Sequence, residues 1–159
     1  MNIALIEGTR PRLGVAHLPA LAVTYAGAAP GTATIMHRNR EPQPIAARVP
    51  RPDGVIVLAS RSHADAAALD AFLADEHVAA RQNAGSSLKF CRIAEGLADI
   101  YPRLGRTMEW DTAAGHAIVR FAGGHVEDLE GNELRYGKPG FENPHFVAMG
   151  PGIKKTPKS

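Results

Sequence analysis

Three short polar segments carry the residue types that could do chemistry. In Gly85-Ser86-Ser87-Leu88-Lys89-Phe90, a glycine and two serines stand at an expected helix start, with a lysine in the first turn. Backbone amides, the positive end of the helix dipole and an ammonium group suit a phosphate. The same residues also read as serine capping with a solvated lysine. In Ser60-Arg61-Ser62-His63, hydroxyls, a guanidinium and an imidazole follow a short apolar run. They could meet phosphate, sugar or a base edge, or form a surface turn in which Ser62 caps the next helix. In Glu109-Trp110-Asp111-Thr112-Ala113-Ala114-Gly115, Asp111 could ligate Mg²⁺, which takes carboxylate oxygens together with water and substrate phosphate. Asp is equally a good N-cap, and one carboxylate can cap with one oxygen and face a metal with the other. Trp110 reads as a packing anchor.

The remaining candidates are weaker. His17, His37, His77, His116, His125 and His145 show no metal-ligand spacing and read as surface or core residues. The single cysteine, Cys91, cannot form an internal disulfide and lies within a helical apolar pattern, as a core residue does. Acidic residues number 16, yet only Glu7 and Glu41 fall in the first 50 positions and the first aspartate is Asp53.

These segments need elements to hold them. Residues 2–7 and 12–17 flank Glu7-Gly8-Thr9-Arg10-Pro11 and predict a hairpin; 21–26 and 32–36 read as further strands. Pro42, Pro44, Pro50 and Pro52 mark a connection. Val55-Ile56-Val57-Leu58-Ala59 reads as a strand buried on both faces. A helix is expected from about Asp65, a strand over 78–82, a helix from Gly85, a strand over 99–103 and a helix from about Asp111 to Gly123-Gly124. Residues 125–129 and 133–136 predict a closing hairpin around Glu130-Gly131-Asn132. The organisation expected is a β-rich region over 1–52, an α/β region over 53–149 and a disordered basic tail over 150–159. Strands alternating with helices give an α/β fold class with a layered architecture. Ligands of such sheets gather beyond the C-terminal strand ends, where the three segments lie.

Composition limits the function. Hydrophobic residues make up 45% and charged residues 21% of the 159, enough for a packed core. A formal net charge of +2 is too mild to argue for a nucleic-acid partner. No apolar run reaches the roughly 20 residues of a membrane-spanning helix, so no transmembrane segment is expected. Met1 leads into Asn-Ile-Ala-Leu-Ile-Glu without a basic leader, which makes the cytoplasm the expected location.

Taken in order, Ser-Arg-Ser-His-Ala-Asp, Gly-Ser-Ser-Leu-Lys-Phe-Cys with Ala-Glu-Gly, Tyr-Pro-Arg-Leu-Gly, Trp-Asp-Thr-Ala-Ala-Gly-His-Ala and Asn143-Pro144-His145-Phe146 resemble the inositol monophosphatase superfamily. Within it they resemble the bacterial 3'(2'),5'-bisphosphate nucleotidases, over about residues 2–148. The resemblance implies a layered α/β sandwich preceded by an antiparallel β region of its first sheet. It implies Mg²⁺-dependent removal of the 3'-phosphate from a small-molecule substrate, adenosine 3',5'-bisphosphate, giving AMP. An inositol-phosphate substrate and a non-catalytic nucleotide-binding module are the alternatives. By the same resemblance Asp111 is a metal ligand, and Ser60, His63, Gly85, Ser86 and Lys89 join it against the substrate. Members of that superfamily also carry an upstream glutamate and an Asp-Pro-x-Asp-Gly-Thr motif, neither of which occurs here. The expectation is therefore a C-terminal portion with little activity of its own. Its strands would be left with open edges, and self-association or a complementing acidic chain would be its partner.

Overall fold

A computed structural model describes residues 1–59 and 66–154. The first sheet is an antiparallel meander in the order β1-β2-β3-β4-β5: Asn2–Glu7, Arg10–Leu18, Val23–Gly27, Thr34–His37 and Gln43–Pro44. The second sheet has the order β7-β6-β8-β10-β9, from Val78–Asn83, Val55–Ala59, Ile100–Arg103, Phe146–Met149 and His125–Asp128. β6 runs parallel to β7 and β8, whereas β10 is antiparallel to β8 and β9. Among the described residues there are three α-helices: α1 (Ala66–Phe72), α2 (Leu88–Ala94) and α3 (Glu109–Phe121).

The layers follow from the two faces of the second sheet. Val55, Val57, Ile100, Val147 and Met149 point to one side and meet Leu69, Phe72 and Leu73 of the α1 segment. Leu58, Tyr101, Phe146 and Ala148 point to the other and meet Phe90, Ile93, Ile118 and Val119 of α2 and α3. The same cluster continues through Ala16, Val23 and Tyr25 of the first sheet. One core thus runs from sheet through helix pair to sheet, across residues 52 and 53. The α/β layered architecture is the one anticipated.

Helix α3 is buried almost all round, from Thr112 to Val119, as a helix with apolar or small residues on every face must be. Small residues permit this. A Cβ on Gly14 of β2 would lie 2.4 Å from the Ala114 carbonyl oxygen, and one on Gly115 would lie 2.4 Å from the Phe90 ring. The first would force backbone apart and the second would displace the Phe90 side chain, so both glycines set the spacing between layers.

Several elements differ from expectation. β5 forms within the proline connection, as a two-residue edge where one proline costs little pairing. The expected hairpin after α3 does not form as two strands. β9 pairs with β10 instead, and residues 133–136 keep one isolated bridge, Glu127 to Glu133. All four side chains of β10 are buried, and that burial outweighs the local turn. Cys91 is a core residue, fully buried. Trp110 is no core anchor: it is 61% exposed and lies against Phe141 with ring centroids 6.2 Å apart. Residues 150–153 pack onto the fold: the Gly150 amide donates to the Asp99 carbonyl at 3.0 Å and Ile153 is buried.

Asp99 ties the connection to the second sheet. Its carboxylate accepts Nε and Nη2 of Arg48, each at 2.9 Å, and the Ile56 amide at 2.7 Å. Burial pushes this carboxyl up, but the bonds from Arg48 and Ile56 outweigh it and hold it below its ordinary value. A carboxyl depressed in the folded state stabilises above its unfolded value and loses that contribution as pH falls. Asp99→Ala, which strands the guanidinium of Arg48, should cost about 3–5 kcal/mol in urea unfolding. The wild-type advantage over the variant should shrink below about pH 4.

Candidate functional site

The C-terminal ends of β7 and β8 and the N-terminus of α3 enclose a polar pocket of about 220 Å³. β7 ends in Ala84-Gly85-Ser86-Ser87, a turn in which Ser86 takes a left-handed φ of 43°. That turn delivers Ser86 and, one step into α2, Lys89 to the pocket. β8 delivers Tyr101 and Arg103, and the loop after it Arg106 and Thr107. The first turn of α3 delivers Asp111 and Thr112.

Lys89 is the cation most shaped by this fold. It is only 4% exposed, so the solvated-lysine alternative fails. Its Nζ donates to the Ala84 carbonyl at 3.0 Å and stands 5.0 Å from the centre of the Tyr101 ring. Burial, with the charge of Arg103 second, lowers its pKa to about 8. Burial likewise raises the Tyr101 hydroxyl to about 12, so it stays protonated. The amides of α2 are less available than expected. Leu88 and Lys89 donate to the Gly85 and Ser86 carbonyls at 3.2 and 3.4 Å, and Ser87 makes no side-chain cap.

Arg103 is the second anchor. Its Nη2 donates to the Arg106 carbonyl at 3.0 Å, while its buried Nε has no hydrogen-bond partner among the described residues. A buried charged donor left without a partner is costly, and an anion in the pocket is the group that would relieve it. Arg106 is exposed and pairs with Glu142 at 3.2 Å.

Asp111 differs in detail from the N-cap reading. Met108 is the N-cap, and Asp111 sits three residues on, with Oδ2 accepting the Met108 amide at 3.0 Å. This is the return half of a capping box. The other oxygen carries no hydrogen bond to the described residues. One oxygen is held and one is available, as the dual reading required. The available oxygen is a hard ligand of the kind Mg²⁺ prefers. Among the described residues, however, no group of three or more His, Cys, Asp or Glu side chains converges. They fit one ligand of a Mg²⁺ site rather than a whole one.

The structure therefore brings Ser86, Lys89 and Asp111 together. Gly85 is exposed beside them in open space, and Ser60 and His63 lie outside the described residues. Tyr101, Arg103, Arg106, Thr107 and Thr112 were not singled out from sequence. The usable signal was the Tyr-Pro-Arg run at a C-terminal strand end, where sheets of this type place ligands.

A layered α/β protein with three cations and one carboxylate at its strand ends is the class that this geometry defines. The chain belongs to the inositol monophosphatase family, whose model matches residues 1–154. It is 46% identical over 147 residues to the 3'(2'),5'-bisphosphate nucleotidase CysQ of Escherichia coli strain K12, covering 92% of this chain and 58% of that protein. The Buchnera aphidicola CysQ is 42% identical over 136 residues. Among solved structures, CysQ from Bacteroides thetaiotaomicron superposes with a TM-score of 0.81 at 34% identity, over 94% of this chain and 61% of that one. The chain thus spans between 50% and 61% of the length of these CysQ proteins.

The Lys89 pKa gives the site a pH dependence. Sulfate keeps its own charge through neutral and mildly alkaline pH, so its affinity reports the lysine alone. The bound anion needs the protonated ammonium. Sulfate affinity should fall as pH rises through about 8, and Lys89→Met should bind more weakly with no such fall. Titration calorimetry between about pH 7 and 9 checks it.

Proposed function

We propose that this chain carries the substrate-anion side of a phosphomonoesterase of the 3'(2'),5'-bisphosphate nucleotidase type, acting on adenosine 3',5'-bisphosphate. The observation that carries the proposal is the convergence of Ser86, Lys89, Arg103 and Asp111 in one pocket, with the buried Nε of Arg103 lacking a partner among the described residues. The likeness to CysQ proteins supplies the substrate class.

In this reading Lys89 and Arg103 hold phosphate oxygens through charge-assisted hydrogen bonds, and Ser86 adds a hydroxyl at the rim. Their low-dielectric surroundings strengthen that attraction. Asp111 gives one oxygen to Mg²⁺, and the other ligands come from groups beyond those described. When bound, such ions activate water and stabilise the leaving oxygen. Ser60 and His63, which follow β6 in the sequence, contact the nucleotide in this reading, and Gly85 does so beside Ser86. The location proposed is the cytoplasm, and among the described residues no helix is long and apolar enough to cross a membrane. The partner proposed is a chain or segment bearing the missing carboxylates, with self-association as the alternative.

The described residues favour binding over turnover, because one free carboxylate oxygen cannot strip Mg²⁺ of enough water to hold it tightly. The 159-residue chain should therefore bind adenosine 3',5'-bisphosphate while releasing phosphate slowly in Mg²⁺. Asp111→Asn should lower the remaining release at least about tenfold, the low end of what even outer-shell changes cost metal sites. Binding should persist in that variant. A colorimetric phosphate assay beside calorimetry checks both, and brisk turnover unaffected by Asp111→Asn would overturn the reading.

A further inference from the structure

Beneath the pocket runs a buried chain of hydrogen bonds whose polarity is fixed from one end. Lys138 Nζ lies 2.8 Å from Glu109 Oε1 and donates to Asn143 Oδ1 at 3.2 Å. That contact identifies the carbonyl end of the Asn143 amide, so Nδ2 is the end that points toward the pocket wall. From there it donates to Thr112 Oγ1 at 3.1 Å and Thr107 Oγ1 at 3.3 Å. The Asn143 amide also donates to the Thr107 carbonyl at 2.9 Å, which pins the two loops together.

The two threonines then differ in what they have left. A hydroxyl offers one proton and two lone pairs. Thr112 uses all three: its proton goes to the Glu109 carbonyl at 3.1 Å, and it accepts from Asn143 and from Tyr136 OH at 3.4 Å. Thr107 accepts from Asn143 and has no acceptor for its own proton among the described residues. Its hydroxyl cannot turn that proton toward an amide N–H. It must send it elsewhere, and Thr107 lines the pocket that holds Lys89 and Arg103.

We infer that Thr107 contacts the bound ligand, its hydroxyl donating to a phosphate oxygen in the pocket, and that Asn143 is the positioning residue that sets it as a donor. This rests on the phosphate-binding reading above, and it adds a neutral, directional donor to a pocket otherwise held by charge. A lone-pair-bearing threonine without the Asn143 bond could accept as easily as donate. With the bond in place one lone pair is occupied and the proton is directed away from Asn143, which suits an anion whose oxygens only accept.

Calorimetry with adenosine 3',5'-bisphosphate on the 159-residue chain tests this. Thr107→Val keeps the shape and removes the hydroxyl; it should weaken binding about tenfold with the ligand-free melting temperature unchanged. Thr107→Ser restores the hydroxyl and should bind within about twofold of wild type. Asn143→Ala should weaken binding in the wild-type background and add nothing to Thr107→Val. Wild-type affinity in Thr107→Val, or an equal loss in Thr107→Ser, would overturn the inference. Lys89→Met separates the two readings. If it loses affinity while Thr107→Val does not, the pocket stands and Thr107 is no contact. If neither wild type nor Lys89→Met binds, the pocket reading fails and the Thr107 assignment fails with it.

Discussion

Everything at the site depends on how closely α3 can lie between its neighbours. The helix is covered on one side by β1 and β2 and on the other by α2, and small residues allow both approaches. Protein interiors pack at crystal-like density, so a single methyl cannot be absorbed without moving backbone at Gly14 or the buried Phe90 side chain at Gly115. Moving α3 would carry Asp111 and Thr112 away from Lys89 and Arg103, which come from α2 and β8. The Trp-Asp-Thr-Ala-Ala-Gly run is therefore one device. Its small residues bring the helix in, and its polar ones work at the end that results.

Against that tight frame the pocket keeps an electrostatic imbalance. Lys89 is buried, yet its partners are neutral: a carbonyl oxygen and an aromatic face. Arg103 has a buried nitrogen with nothing to donate to among the described residues. Elsewhere the fold compensates its buried charges thoroughly. Asp99 takes three bonds from Arg48 and Ile56, and Glu109 takes the Gly137 and Lys138 amides and the Lys138 ammonium. Protein ion pairs repay desolvation only when geometry and hydrogen bonds are complete. The contrast between complete networks at Asp99 and Glu109 and incomplete ones at Lys89 and Arg103 is what supports the proposal that the latter two meet a ligand.

The sequence made the local elements legible where period and apolarity were strong, as in β2, β6 and α3. It was weakest where a long-range partner decided the outcome. β10 follows Asn143-Pro144-His145 and has no turn or period of its own; it exists because β8 and β9 offer it two edges. Residues 133–136 read as a strand by alternation, but Leu134 and Tyr136 are drawn into the core instead. The site was legible in its charged and glycine-containing pieces, Ser86, Lys89 and Asp111. It was opaque in Arg103, Thr107 and Thr112. Nothing local distinguishes Thr107 from an ordinary loop threonine; only its pairing with Asn143, 36 positions away, gives it a direction.

Two carboxylates in the first turn of α3 show how finely placement separates structure from chemistry. Glu109 and Asp111 are two residues apart, so they leave the helix on different sides. Glu109 faces the loop at 137–138 and is fully engaged, with burial pushing its carboxyl up and the Lys138 ammonium and two amides more than offsetting that. Asp111 faces the pocket and gives only one oxygen to the Met108 amide. Exchanging their surroundings would exchange their roles, since the residues themselves are chemically alike. The Glu109 network also fixes Lys138, which fixes Asn143, which sets Thr107. A carboxylate that never reaches the pocket thus determines which hydrogen-bonding groups the pocket presents, while its neighbour presents itself directly.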